Sequence, residues 1–283
     1  MIGKKGGKDL NAEEYFHNDI FRKYWLRMGG DTNQMQVNLV YPATETLINK
    51  YSKQEIYSVK ETAEVYSKYT KPHFIDKIES SSYEWMLNVL NETKEKELCV
   101  FENEHFKLQK DYKFNEGDLS TLYLLAIPKQ APDLKLHSIR DLRKDHLEML
   151  KSIQEESYKA IEQHFGLPKH KVYAYFHYLP TYYLLHVHFV HVDGQAIDKR
   201  EMQPLEVVIQ NIEMFKDYYK KATLNYSIGD KHDLFKIFIQ EGVLTEYVPP
   251  SDWEDVEKPE HENTSSVAIT EETAEGEAEK KIE

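Results

Sequence analysis

Leu184-Leu185-His186-Val187-His188-Phe189, inside the longer run HYLPTYYLLHVHF (177–189), decides how this chain is read. The run from Thr181 to Val192 predicts a strand, and a strand sends alternate side chains to one face. The imidazoles of His186 and His188 then stand side by side, with Tyr182 on the same face and His191, of opposite parity, on the other. Near neutral pH a histidine can be an unprotonated nucleophile in one step and a proton donor in the next, and a neighbouring pair can divide those roles. Three readings fit such a pair. It can be two partly buried structural histidines, two ligands of a zinc ion whose third comes from elsewhere, or the centre of phosphoryl transfer through a histidine nucleophile. The pair by itself leaves all three open.

Pro180 separates this strand from another, KVYAYFHYL (171–179). Before it, SIRDLRKDHLEMLKSIQEESYKAIEQHFG (138–166) places Leu142, Leu147, Leu150, Ile153, Tyr158 and Ile161 at helical spacing. This predicts one long amphipathic helix closed by Gly166. LSTLYLLAIPK (119–129) is an apolar run ended by Pro128, as in a buried strand. HFKLQKDYKF (105–114) and the stretch around Val100 predict short strands, and YEWMLNVL (83–90) a helix. Lys53–Lys68 is polar and helix-compatible, up to a breaker at Pro72. VNLVYPATE (37–45) predicts a strand stopped by Pro42, then TETLINKY (44–51) a helix capped by Thr44 or Thr46. On the carboxyl side, MQPLEVVIQNIEMFKDYYKKATL (202–224) predicts a second amphipathic helix with Pro204 in its first turn, and DLFKIFIQEGV (233–243) a third. The expected organisation is a disordered Gly- and Lys-rich start (1–14), a small strand-and-helix lobe (15–55), a main domain (56–248) and a disordered acidic tail (249–283). The tail has almost no large apolar groups with which to order itself.

The chain has 283 residues, enough to bury a core, and a formal charge of −13. From Pro249 to Glu283 twelve acidic residues face three lysines, so that stretch carries −9 and the body only −4. A body so nearly neutral lacks the broad basic field that DNA or long RNA requires, while a compact anionic ligand stays possible. Cys99 is the single cysteine, so neither an intrachain disulfide nor a four-cysteine zinc site can form. A reducing compartment fits, the cytoplasm first and the nucleus second. No apolar run approaches the roughly 20 residues that span a bilayer. The lysines near the start precede no apolar signal region, and Ile2 rather than glycine follows Met1, so no membrane partner is expected.

The run HYLPTYYLLHVHF resembles the active-site strand of scavenger messenger-RNA decapping enzymes, a branch of the histidine-triad superfamily. NDIF (18–21), VYPATE (40–45), KY (50–51) and the later PH (72–73) resemble the family's amino-terminal region. YEWMLNVLNETKEKELCVFEN (83–103), DYKF (111–114), LYLLAI (122–127) and SIRDLRKDHLEML (138–150) resemble successive parts of its catalytic domain in the same order. The likeness runs from Asn18 to Val243 and leaves out the tail. It implies an α+β fold, with a small amino-terminal strand and helix dimerisation lobe followed by a histidine-triad domain of antiparallel sheet and flanking helices. It implies a homodimer that hydrolyses the 7-methylguanosine cap of cap dinucleotides or short capped oligonucleotides left by mRNA decay. A covalent nucleotidyl-histidine would release 7-methylguanosine monophosphate without a metal or other cofactor.

Residue by residue, the resemblance makes His186 the nucleophile, His188 the last triad position and His177 the histidine before the Leu-Pro turn. Trp85 falls at the family's stacking Trp. The methylated guanine ring carries a delocalised positive charge, which an indole face attracts by roughly 2 kcal/mol when desolvated. Glu95 and Asp111 match the pocket carboxylates, which suit the ring's N–H donors. Lys113 matches a lysine facing the ligand, and Lys50, Thr181 and Tyr182 fall beside the phosphates. Arg200 is the nearest counterpart of a phosphate-contacting Arg, in a loop (191–205) shorter than the family's. Without the resemblance, Trp85 reads as a core residue and the lysines as solvated. The first triad position is Leu184, whose isobutyl group neither donates nor accepts a hydrogen bond. Turnover is therefore expected to be weakened, and the alternative is a cap-binding homologue without turnover.

Overall fold

The computed structural model describes residues 10–18, 21–28, 34–43, 48–49, 51–91, 96–194 and 202–247. All but Glu246 and Tyr247 belong to one compact unit, Met1–Thr245. The acidic tail expected from Pro249 onward lies outside the described residues.

The chain begins with an antiparallel meander of β1 (Leu10–Asn18), β2 (Phe21–Met28) and β3 (Gln34–Val40). Residues Leu10–Glu14, expected within the disordered start, lie in β1, because pairing from Leu10↔Met28 onward gives this polar stretch its backbone partners. Tyr15 stacks on Trp25 across the pair at 5.1 Å. The lobe is thus built mainly of strands. Of the helix expected over 44–51, only Ile48, Asn49 and Tyr51 are described, and all three are helical.

The polar stretch expected to be helical from Lys53 instead forms β4 (Ile56–Glu61), which buries Val59 and Glu61 on one face. Its partner is β11 (Leu224–Gly229), in antiparallel register from Leu224↔Glu61 to Gly229↔Ile56. Helical turns resume at Ala63, where the Thr62 hydroxyl accepts from the Val65 N–H at 3.2 Å. Helix α1 (Glu84–Leu90) then buries Met86 and Val89 and leaves Trp85 half-buried.

A six-stranded antiparallel sheet forms the main body, from β5 (Cys99–Glu102), β6 (Phe106–Lys110), β7 (Tyr123–Pro128), β8 (Val172–His177), β9 (Val187–His191) and β10 (Met202–Pro204). Its spatial order is β10-β8-β9-β7-β6-β5. One face carries Leu124, Ala126, Val187 and Phe189 into the main core, together with apolar residues of α2 (Leu147–Phe165) and α3 (Leu205–Met214). The opposite face carries Tyr123, Leu125, Tyr175 and Val190, with Trp85, Phe114, Tyr173 and Met202 packed against them. Helix α4 (Asp233–Gln240) buries Leu234, Phe235 and Phe238.

Three predicted elements are shorter than the sequence suggests. The helix expected from Ser138 starts at Leu147, because the Ser138 hydroxyl and Asp141 carboxylate cap a separate turn that directs Arg140 inward. It ends at Gly166 as expected, with φ of 68°. The strand expected from Thr181 begins only at Val187, since the Leu185 N–H is taken at 2.8 Å by the carbonyl of Leu136. The helix expected over 202–224 divides into β10, α3, a short turn at Tyr218–Lys221 and the first residue of β11. Pro204 ends the strand before the helix.

Arg140 and Glu61 form an ion pair with no solvent exposure, Nη2 to Oε1 at 2.7 Å. Arg140 also donates to the carbonyls of Glu61, Tyr219 and Ala222. The Tyr178, Tyr226 and Thr70 hydroxyls donate to the Glu61 carboxylate. Every charge-bearing atom of the pair is thus supplied with partners, which is the condition for burying such groups. The network binds β4, β11 and the 138–141 turn to Tyr178, the residue after His177.

Candidate active site

His188 lies on β9 directly between Leu125 of β7 and Tyr175 of β8. Its ring stacks on Tyr175 at 5.1 Å and 14°, and Tyr123 meets it edge-on at 5.6 Å. The Tyr123 hydroxyl is 3.0 Å from His188 Nδ1, while Nε2 is buried with no protein partner. His186 and His177 stand on either side, with ring centroids 4.8 Å and 4.6 Å from that of His188. Two aromatic walls and two neighbouring imidazoles thus fix His188 in place.

The His186 ring has a defined tautomer. Its Nδ1 lies 2.6 Å from the carbonyl of Leu184, and a carbonyl can only accept. Nδ1 therefore carries the proton, and the lone pair sits on Nε2. Burial pulls the His186 pKa below its ordinary value, the Leu184 carbonyl opposes this, and Lys113 adds to the lowering. Burial pulls His188 well below the ordinary value too, reinforced by His186, His177 and Lys113. Both rings are consequently neutral at pH 7. A neutral, oriented imidazole with its proton committed at Nδ1 and its lone pair on Nε2 is the form that attacks phosphorus.

Beyond the imidazoles on the β7 side, Lys113 holds its ammonium 4.4 Å from the centre of the Tyr123 ring. Asp111 is fixed by accepting from the Lys113 backbone N–H at 2.9 Å, and its own N–H donates to the Tyr123 carbonyl. Trp85 meets Tyr182 edge-on at 5.5 Å, and its buried Nε1 has no protein partner. The structure thus gathers His177, His186, His188, Tyr182, Trp85, Asp111 and Lys113 around one face of the sheet. Thr181 is exposed next to Tyr182. Lys50, Glu95 and Arg200 lie outside the described residues. His191 has the opposite parity, as expected, and accepts from the Asp193 N–H.

Three contributors escaped sequence reasoning. Tyr123 and Tyr175 read as ordinary strand aromatics. Lys23 of β2 brings its ammonium to 3.4 Å from the Tyr112 carbonyl, 89 residues away in the chain. Burial lowers its pKa, Asp111 opposes this and Lys113 adds to it, so it shares the surroundings of both site residues. No local pattern marks such a lysine. Among the described residues no cluster of three His, Cys, Asp or Glu side chains could hold a metal ion, and no helix is long and apolar enough to cross a membrane.

Comparison with known proteins converges on one family. Residues 7–54 match the family model for the scavenger mRNA decapping enzyme N-terminal region, and residues 84–203 match the model for its C-terminal binding region. An m7GpppX diphosphatase of Caenorhabditis elegans is 36% identical over 232 residues, covering 80% of this chain and 73% of the relative. The Homo sapiens m7GpppX diphosphatase is 34% identical over 240 residues, covering 82% and 68%. Among solved structures, the aprataxin orthologue Hnt3 of Schizosaccharomyces pombe aligns at 13% identity and a TM-score of 0.33, covering 55% of this chain and 90% of its own, a likeness too slight to argue from.

Proposed function

The chain belongs to the scavenger mRNA decapping enzyme family, and on that premise we propose that it hydrolyses the 7-methylguanosine cap of cap dinucleotides and short capped oligonucleotides. The observation that carries this reading is the His186 ring, neutral, with Nδ1 committed to the Leu184 carbonyl and Nε2 left to react. Nε2 attacks the phosphorus nearest the methylated nucleoside. A P–N bond forms as the P–O bond to the departing nucleoside diphosphate breaks, and the diphosphate leaves as an anion that takes its proton from solvent; in this proposal His177 serves the leaving group. Water then attacks the same phosphorus, the P–N bond breaks, 7-methylguanosine monophosphate leaves and His186 is regenerated. When the Tyr123 hydroxyl donates to Nδ1 of His188, the Nε2–H of His188 is directed to a phosphoryl oxygen.

In the same proposal the methylated base stacks on Trp85, with its N–H donors on Asp111 and Glu95. Lys113, Lys50, Thr181, Tyr182 and Arg200 serve the phosphates. The meander β1–β3 would pair two copies, since Tyr15, Met35 and Leu39 expose apolar surface on it. Light scattering of the full chain checks this, and a monomer at micromolar concentration counts against it.

Leu184 favours a second reading. Its side chain is 1% exposed within the main apolar core, so this position supplies no hydrogen bond where the first triad histidine would stand. A homologue that binds caps without turning them over would show this pattern. Incubating the protein and His186→Ala with labelled cap dinucleotide, with and without EDTA, separates the two. Labelled 7-methylguanosine monophosphate from the unsubstituted protein alone, unaffected by EDTA, supports decapping. Quenching of Trp fluorescence without product supports the binding homologue, and neither signal removes both.

A further inference from the structure

We propose that Lys23 is a positioning residue for cap binding: from the amino-terminal lobe it locks the turn that presents Asp111 to the methylated base. This role rests on the decapping reading, in which Asp111 meets the base's N–H donors. The turn joins the end of β6 to the site. The Asp111 N–H donates to the Tyr123 carbonyl at 2.9 Å and the Phe114 N–H to the Asp111 carbonyl at 3.0 Å, so residues 111–114 close a β-turn. The Lys113 N–H donates to Asp111 Oδ1 at 2.9 Å, which ties the carboxylate to the middle of its own turn.

That middle is a single peptide group, and it is held at both ends. Its N–H is the one bonded to Asp111, and its carbonyl, that of Tyr112, accepts from Lys23 Nζ at 3.4 Å. The two commonest β-turn types differ by a flip of this central peptide. A flip would carry the Lys113 N–H away from Asp111 and release the carboxylate, and an ammonium on the carbonyl opposes it. The cation also polarises the peptide, which strengthens its N–H as a donor to the carboxylate. The same peptide sets the start of the Lys113 side chain, whose ammonium lies 4.4 Å from the Tyr123 ring centre.

Lys23 is well anchored for this task. β2 is the central strand of the meander, so Lys23 stands between Phe16 of β1 and Asn38 of β3. Its side chain is half-buried, and the ammonium lies 5.8 Å from the centre of the Tyr112 ring, within range of a cation–π attraction. Burial disfavours its charge and Lys113 repels it, while the Asp111 carboxylate sustains it. Lys23 thus meets the turn through the carbonyl and the ring of Tyr112 and through the charge of Asp111. A methionine in its place would keep neither the donor nor the charge.

The test uses full-length protein carrying His186→Ala to stop turnover, with affinity for cap dinucleotide measured by fluorescence titration. Lys23 is retained, changed to Met or changed to Arg, and Lys23→Met is repeated in combination with Asp111→Ala. Lys23→Met should bind roughly three- to ten-fold more weakly, the range for one lost hydrogen bond. Lys23→Arg restores charge and donors and should stay within about two-fold. Once Asp111→Ala has removed the carboxylate to be positioned, adding Lys23→Met should change affinity by less than about two-fold. A merely structural contribution of Lys23 to the lobe would instead cost the same with or without Asp111. That equal cost, no loss in Lys23→Met, or a Lys23→Arg protein as weak as Lys23→Met overturns the role of Lys23 and leaves the decapping reading standing. Failure of the protein that retains both Lys23 and Asp111 to bind cap dinucleotide removes the decapping reading, and the role of Lys23 with it.

Discussion

Replacing Arg140 by Met tests whether the buried ion pair holds the fold beneath the site. Methionine keeps most of the apolar stem, so packing changes little. The substitution deletes two hydrogen bonds to Glu61 Oε1 and one each to the carbonyls of Glu61, Tyr219 and Ala222. Glu61 stays fully buried with hydroxyl donors and no cation. One-sided removal of a buried pair costs about 3–5 kcal/mol, and each carbonyl stripped of a donor adds on the order of 1 kcal/mol where no other donor reaches it. A loss of about 4 kcal/mol or more is therefore expected, a large part of the 5–15 kcal/mol typical of a folded domain. At about 2–4 °C per kcal/mol for a domain of this size, Tm falls by about 8–16 °C. Urea denaturation followed by circular dichroism, with Glu61→Gln added to Arg140→Met as a second protein, gives the answer. The double variant should be more stable than the single one, because it no longer buries an uncompensated carboxylate. A loss below about 1 kcal/mol for Arg140→Met, or a double variant no better than the single, would refute the reasoning.

Stability should also depend on pH through His186 and His188. Both have lowered pKa values when folded, so between those values and the unfolded value near 6.5 the unfolded chain binds more protons. Stability is then complete above pH 6.5 and falls as pH drops below it, by up to ~1.4 kcal/mol per unit for each histidine. Urea midpoints at pH 7.5, 6.5 and 5.5 measure this, and the double His→Gln protein should show a flatter profile. Tyr123→Phe removes the hydroxyl at His188 Nδ1 and should lower kcat roughly ten-fold with KM unchanged. A change confined to KM would place Tyr123 in binding instead. Leu184→His should raise kcat at least ten-fold while lowering stability by about 2–3 kcal/mol, because an imidazole replaces a fully buried isobutyl group. An unchanged rate would show that the first triad position has no part in this site.

The α+β class and the antiparallel sheet were legible because the strands that carry them are marked by their own residues. The apolar run at Tyr123–Pro128 and the alternation at Val172–His177 and Val187–His191 report burial directly. The histidine pair announced itself through parity, and its neighbours through order along the chain. Polar stretches misled. Ile56–Glu61 buries a carboxylate, Glu61, beside Val59 where a second apolar residue would have marked the strand, and its partner β11 lies far away in sequence, where Tyr226 completes the shell around Glu61. Lys23 was hidden for the same reason, since its place beside Asp111 depends on how β2 meets the 111–114 turn. The helix expected from Ser138 was too long because periodicity cannot register Arg140 turning inward toward Glu61. Leu184 was visible as a departure, but the use of its backbone carbonyl to orient His186 was not, because every residue offers one.

The pairing of β4 with β11 also bears on when the site can come into being. Tyr226 and Glu61 are 165 residues apart, and Arg140 depends on the carbonyls of Tyr219 and Ala222 as well. In a chain growing from its amino end, all three imidazoles are synthesised before any of these clamps. Until Gly229 has emerged, β4 is an edge without its strand, and Glu61 and Arg140 lack part of their shell. Contacts so distant in sequence close slowly. The nascent protein thus passes through a period in which its reactive histidines exist but part of their scaffold does not.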